Sequence, residues 1–120
     1  RRPLPAIALT TNASAVTAIA NDYEYSEIFS RQLQGLAKTG DVLVGISTSG
    51  NSANVIEAIK MASECGVKSI ALTGQNPSEA GNLADIAIRA PSTHTPRIQE
   101  MHIAIGHTLC EIAENSLFET

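Results

Sequence analysis

Four short apolar runs divide this sequence: residues 6–11 (AIALTT), 41–47 (DVLVGIS), 68–74 (KSIALTG) and 85–90 (DIAIRA). Between them lie stretches whose apolar residues recur at helical spacing. Runs that are apolar almost throughout, rather than alternating, suit strands covered on both faces, and strands separated by helices pair in parallel. The expected class is therefore α/β, a doubly wound parallel sheet. The helices are expected at 13–20, capped by Asn12 or Ser14, then at 23–36, where Ile28, Phe29, Leu33 and Leu36 share a face. A third covers 52–64, burying Val55, Ile56, Ile59 and Ala62 and stopped by Gly66. A helical turn is expected near 80–84, and one long helix over 97–117.

The 120 residues fit one domain, residues 1–120. With 3% aromatic residues and no Trp, the core must be aliphatic. A net charge of −4 argues against a nucleic-acid-binding surface, and no apolar run is long enough to span a membrane. Cys65 and Cys110 lie far apart and form no metal-binding pair; as two reduced thiols they suit a cytoplasmic protein.

The second run ends in an unusual segment. Ser47-Thr48-Ser49-Gly50-Asn51-Ser52 places four hydroxyls just where a helix begins. In open parallel sheets, ligands bind beyond the carboxyl ends of the strands. The first amides of the helix have no internal partner, and its dipole places about half a positive charge there. A phosphate can accept from such amides and from neighbouring hydroxyls without a lysine. One Ser or Thr would serve an ordinary helix cap, so four exceed that need. There is no Walker lysine and no GxGxxG, so the expected ligand is a small phosphorylated molecule rather than a nucleotide.

The stretch GISTSGNSANVIEAI resembles the phosphate-binding signature of the sugar isomerase (SIS) domain, and in particular that of the phosphoheptose isomerases. The segments LPAIALTT, AIANDYEYSEIFSRQ, SIALTG and RIQEMHIAIGHTLCEI resemble that family in the same order, so the resemblance runs over essentially the whole chain. It implies a flavodoxin-like strand order, 2-1-3-4-5. It also implies the conversion of sedoheptulose 7-phosphate to D-glycero-D-manno-heptose 7-phosphate, a step toward the heptose of lipopolysaccharide. Ser47, Thr48, Ser49 and Ser52 would hold the phosphate, Asn21 and Asp22 would meet the substrate, and Gln99 and His107 would face it from the last helix. His107 would be the catalytic acid or base.

The resemblance further implies zinc in some members, with Gln99 and His107 among its ligands. Spacing alone would not suggest a metal: the two residues lie about 80° apart around a helix and about 12 Å along it. His102, about 140° around from His107, reads as packing or a subunit contact. The family also carries an upstream helix, a first strand and a His- and Glu-bearing helix that are not matched here. The chain is thus expected to be the C-terminal major part of one SIS domain in a protein of about 190 residues. A homotetramer is implied by the resemblance. The apolar residues on several sides of the last helix fit burial between subunits or within a monomer.

Two other functions fit the same pattern. One is a non-catalytic relative, the initiator-associating protein, which regulates chromosome replication. Its loop is expected to carry Arg in place of Ser49, and its last helix Asn in place of His107, so those two residues favour the isomerase. The other is a sugar-phosphate-sensing domain of a regulator, for which no DNA-binding segment is seen.

Overall fold

The computed structural model describes residues 2–118. Helix α1 (Ala13–Asp22) is followed by a 3-10 turn (Tyr25–Glu27) and by α2 (Ser30–Leu36). Strand β1 (Val42–Ile46), α3 (Ala53–Glu64), β2 (Lys68–Thr73), α4 (Glu79–Leu83) and β3 (Ile86–Arg89) then alternate, and α5 (Thr95–Phe118) closes the order. The strands are parallel in the sequence β1-β2-β3, with Leu43 opposite Ser69 and Ala71 opposite Ala87. The α/β class is as expected, and this sequential order corresponds to the 3-4-5 half of the expected arrangement.

The core lies between one sheet face and α2, α3 and α4. Leu33, Leu43, Val55, Ile56, Ile59, Ala62, Ala71 and Ala80 form it. In α3 the buried residues recur every three or four positions, the spacing that makes one apolar stripe. That helix ends as its sequence dictates. Gly66 takes φ +70°, and the Val67 amide returns to the Ala62 carbonyl at 2.8 Å.

Between β2 and β3, Asp85 acts as a clip. Its carboxylate accepts from the Ser69 amide at 2.8 Å, the Ser69 hydroxyl at 3.2 Å and Lys68 Nζ at 2.9 Å. The Lys68 ammonium and the Ser69 amide hold this carboxyl below its ordinary range.

Three expectations need correction. The run at residues 6–11 is not a strand: it is exposed except at Leu9, and Thr11 turns back on the Ala8 carbonyl. A strand requires a neighbour for its ladder, and no described strand bonds this run; Leu9 instead lends its carbonyl to Gln32 Nε2 at 2.9 Å. The stretch 23–36 is not one helix. The Ser30 hydroxyl takes the Glu27 carbonyl at 3.3 Å where a 3-10 turn gives way to α2, and Leu36 is 52% exposed. Finally, the second sheet face is covered only in part: Val42, Val44 and Ile46 of β1 are exposed on it, whereas Leu72 of β2, opposite Ile46 in the register, is buried.

Candidate functional site

Between the last residue of β1 and the first of α3, the chain folds its hydroxyls onto one another. Ser47 is buried, and its Oγ lies 2.8 Å from Ser52 Oγ and 3.4 Å from Ser49 Oγ. The Gly50 amide donates to Ser47 Oγ at 3.1 Å, and the Asn51 amide donates to Ser49 Oγ at 3.1 Å. Ser52 holds the position where a hydroxyl normally caps the helix, yet its side chain makes no capping bond. The Val55 amide is taken by the Ser52 carbonyl at 3.1 Å, which leaves the Ala53 and Asn54 amides to an outside acceptor, beside a cluster of hydroxyls that can donate to the same group. Among the described residues, no Lys or Arg side chain hydrogen-bonds this loop. The attraction for an anion comes from amides and the helix dipole.

Two glycines make the loop possible. Gly50 adopts φ +68°, a region that side chains resist, and a Cβ there would collide with the Ser78 side chain. The segment before α4 backs the loop: the Ala80 amide donates to the Gly50 carbonyl at 2.9 Å, and the Glu79 amide to Asn51 Oδ1 at 3.1 Å. At Gly74 the amide donates to the Thr48 carbonyl at 3.0 Å. A Cβ on Gly74 would come within 2.7 Å of that carbonyl oxygen and 2.8 Å of Ile98 Cδ1. The base of α5 and the hydroxyl loop thus meet across Gly74. Ser78 and Gly74 lie outside the Ser47–Ser52 segment, and nothing in the sequence near them marks them as its partners. Pro77-Ser78-Glu79 carries a helix-start signal, but nothing in it tells which loop Ser78 will back.

The remaining candidates are more dispersed. Gln99 and His107 are exposed on α5, and no hydrogen bond among the described residues ties either to the loop. Gln99 adjoins Ile98, so it stands next to the Gly74 junction; His107 is two turns farther along. Asn21 and Asp22 end α1, exposed, with Asn21 Nδ2 donating to Asp22 Oδ1 at 3.0 Å. The structure therefore gathers Ser47, Ser49 and Ser52, with Thr48 alongside, and leaves Asn21, Asp22, Gln99 and His107 outside that cluster. No group of three or more His, Cys, Asp or Glu side chains among the described residues could hold a metal. Gln99 and His107 alone do not make a zinc site, for want of donors.

A parallel sheet covered by helices, with a cluster of hydroxyls where a strand end meets a helix start, defines a class, the α/β domains with a loop site beyond the carboxyl ends of their strands. The chain belongs to the SIS domain family, whose sequence model matches residues 1–74. It is similar to the phosphoheptose isomerase of Aliarcobacter butzleri, with 56% identity over 117 residues, 98% of this chain and 62% of that protein. Among solved structures, the phosphoheptose isomerase of Neisseria gonorrhoeae superposes with a TM-score of 0.86 at 50% identity, over 88% of this chain and 60% of that one. That of Francisella tularensis gives 0.90 at 43% identity, over 93% and 60%. The chain spans about 60% of the length of the curated relatives it matches.

Proposed function

We propose that the protein to which this chain belongs is an aldose–ketose isomerase that interconverts sedoheptulose 7-phosphate and D-glycero-D-manno-heptose 7-phosphate. The observation that carries this reading is the uncapped start of α3, with Ser47, Ser49 and Ser52 turned toward one another beside it. The named relatives narrow the anion to a heptose phosphate.

The reaction moves a proton between C1 and C2 through an enediol, whereas the phosphate sits on C7. The phosphate cradle and the proton-transfer groups therefore belong at opposite ends of the substrate. This fits residues of α5 that start beside the loop at Gln99 and lead away from it to His107. Ser47, Thr48, Ser49 and Ser52 fix the C7 end, which turns remote binding energy into orientation at C1 and C2. His107, whose imidazole can accept a proton at one ring nitrogen and donate one from the other, serves as the acid or base. Gln99, Asn21 and Asp22 offer hydrogen bonds to the sugar hydroxyls.

Zinc belongs to this proposal as a ligand of the whole protein. In a zinc-loaded form Gln99 and His107 would supply two of the donors and the metal would polarise the carbonyl oxygen, His107 then being a ligand in place of the free acid or base. Metal analysis of the purified full-length protein tests it. A homotetramer in the cytoplasm, acting toward lipopolysaccharide heptose, completes the reading. Among the described residues no helix is long and apolar enough to cross a membrane. Ser49 and His107 weigh against the replication-regulating relative, and the named relatives above are isomerases.

The deciding assay gives sedoheptulose 7-phosphate to the full-length protein and to its His107→Ala variant. Turnover by the wild type and its loss in the variant are expected. No turnover by the wild type, or an undiminished rate in the variant, would sink the proposal.

A further inference from the structure

Among the described residues His102 is the one buried side chain of an acid or base, at 4% exposed. Its Nε2 lies 3.0 Å from the Thr73 carbonyl oxygen, while its Nδ1 has no partner. The same carbonyl accepts the Ala90 amide at 2.9 Å, so both of its lone pairs are used. A carbonyl can only accept, and Nε2 must therefore carry the proton. A leucine would fill this place without stranding a nitrogen, so packing by itself does not account for the imidazole.

We propose that His102 is a positioning residue, a latch that ties α5 to the end of β2 and sets where Gln99 and His107 stand relative to the hydroxyl loop. The role rests on the isomerase reading. Along α5 only Ile98 and His102 are buried, one turn apart on the same side. The Ile98 contact at Gly74 is apolar and non-directional, and holds the helix close without fixing its rotation. The imidazole bond is directional and does fix it. Gln99 lies about 60° and His107 about 140° around the axis from His102, so a turn of α5 displaces both. The strand end at the other side of the latch carries the loop itself. Gly74 donates to Thr48, and the Ser47 amide donates to the Leu72 carbonyl at 3.0 Å. One junction thus spaces the proton-transfer end of the site from the phosphate end.

The test uses the full-length protein and compares wild type, His102→Leu and His102→Gln with sedoheptulose 7-phosphate. Glutamine can present an N–H near the place of Nε2, whereas leucine cannot. His102→Leu is expected to lower kcat about tenfold or more while KM stays within about threefold, since the cradle keeps its own bonds. His102→Gln should recover most of kcat. A leucine variant with wild-type kcat, or a glutamine variant as slow as the leucine one, overturns the proposal. Ring-nitrogen NMR of the wild type is the second measurement: the Nε2–H form is expected, and an Nδ1–H form overturns the latch even where the leucine variant fails to fold. If the wild type itself does not turn over the sugar, the isomerase reading fails. The latch is then judged by the ring signals of His102, and of His107 in the glutamine and leucine variants, which should move only in the latter.

Discussion

The hydroxyls of Ser47 and Ser52 are 2.8 Å apart, five residues from one another across the loop, and this bond takes the place of a helix cap. A serine at the capping position just before a helix usually turns its side chain inward to the second or third helical amide. Here it turns to Ser47 instead. The cost is an uncapped helix start, and the result is three serine hydroxyls gathered beside it.

Ser52→Ala should separate binding from stability. Removing a true cap costs about 0.5–2 kcal/mol. Because Ser52 caps nothing, the variant is expected to stay within about 1 kcal/mol of wild type in denaturant unfolding. Inorganic phosphate, titrated calorimetrically into the full-length protein, should bind about tenfold more weakly, the loss of one charge-assisted hydrogen bond. A strongly destabilised variant with unchanged phosphate affinity would reverse these roles.

Gly50→Ala brings two penalties, a side chain at φ +68° and a collision with Ser78. Unfolding should show a loss of about 2 kcal/mol or more. Adding Ser78→Ala removes the Oγ but leaves the Ser78 Cβ in the way and the backbone strain in place, so the double variant should regain only part of that loss. Complete recovery would mean the left-handed backbone is unimportant here.

Ser49→Arg crowds the cradle and removes the acceptor of the Asn51 amide. Phosphate affinity is expected to fall in titration, with the α/β circular dichroism signature intact. An unaltered affinity would show that the phosphate docks elsewhere.

Asp85 links pH to stability. Its carboxyl is held below the ordinary value of 3.8 by Lys68 and Ser69, so the folded state favours the ionised form. The contribution is fully present above about pH 4 and is lost as the pH falls through the lower folded value. Asp85→Asn should therefore be less stable than wild type near neutrality, and the two should converge in acid. Parallel stability curves from pH 7 down to about pH 2 would rule out this clip.

What could be read from the chain and what could not divide along a physical line. Val55, Ile56, Ile59 and Ala62 announce α3, Gly66 announces its end, and the run of hydroxyls before it announces the hydroxyl cluster that makes the loop a candidate site. In each case the cause lies within a few residues of the effect. Residues 6–11 have strand composition and still make no strand, because a ladder depends on a neighbour that composition does not specify. The same holds for His102, whose spacing on α5 reads as packing or a subunit contact until Thr73, 29 residues away, is found at its Nε2.

The sequence by itself determined the alternation of strands and helices and the place of the candidate cradle, since helical period, strand run and helix dipole are local properties of the chain. Tertiary structure alone decided that Ser52 would face Ser47 rather than cap α3, that Ser78 would back Gly50, and that α5 would be held at Thr73. Those outcomes depend on which strand ends and loops meet in space, and the energy of a directional bond is set only once both partners are in place.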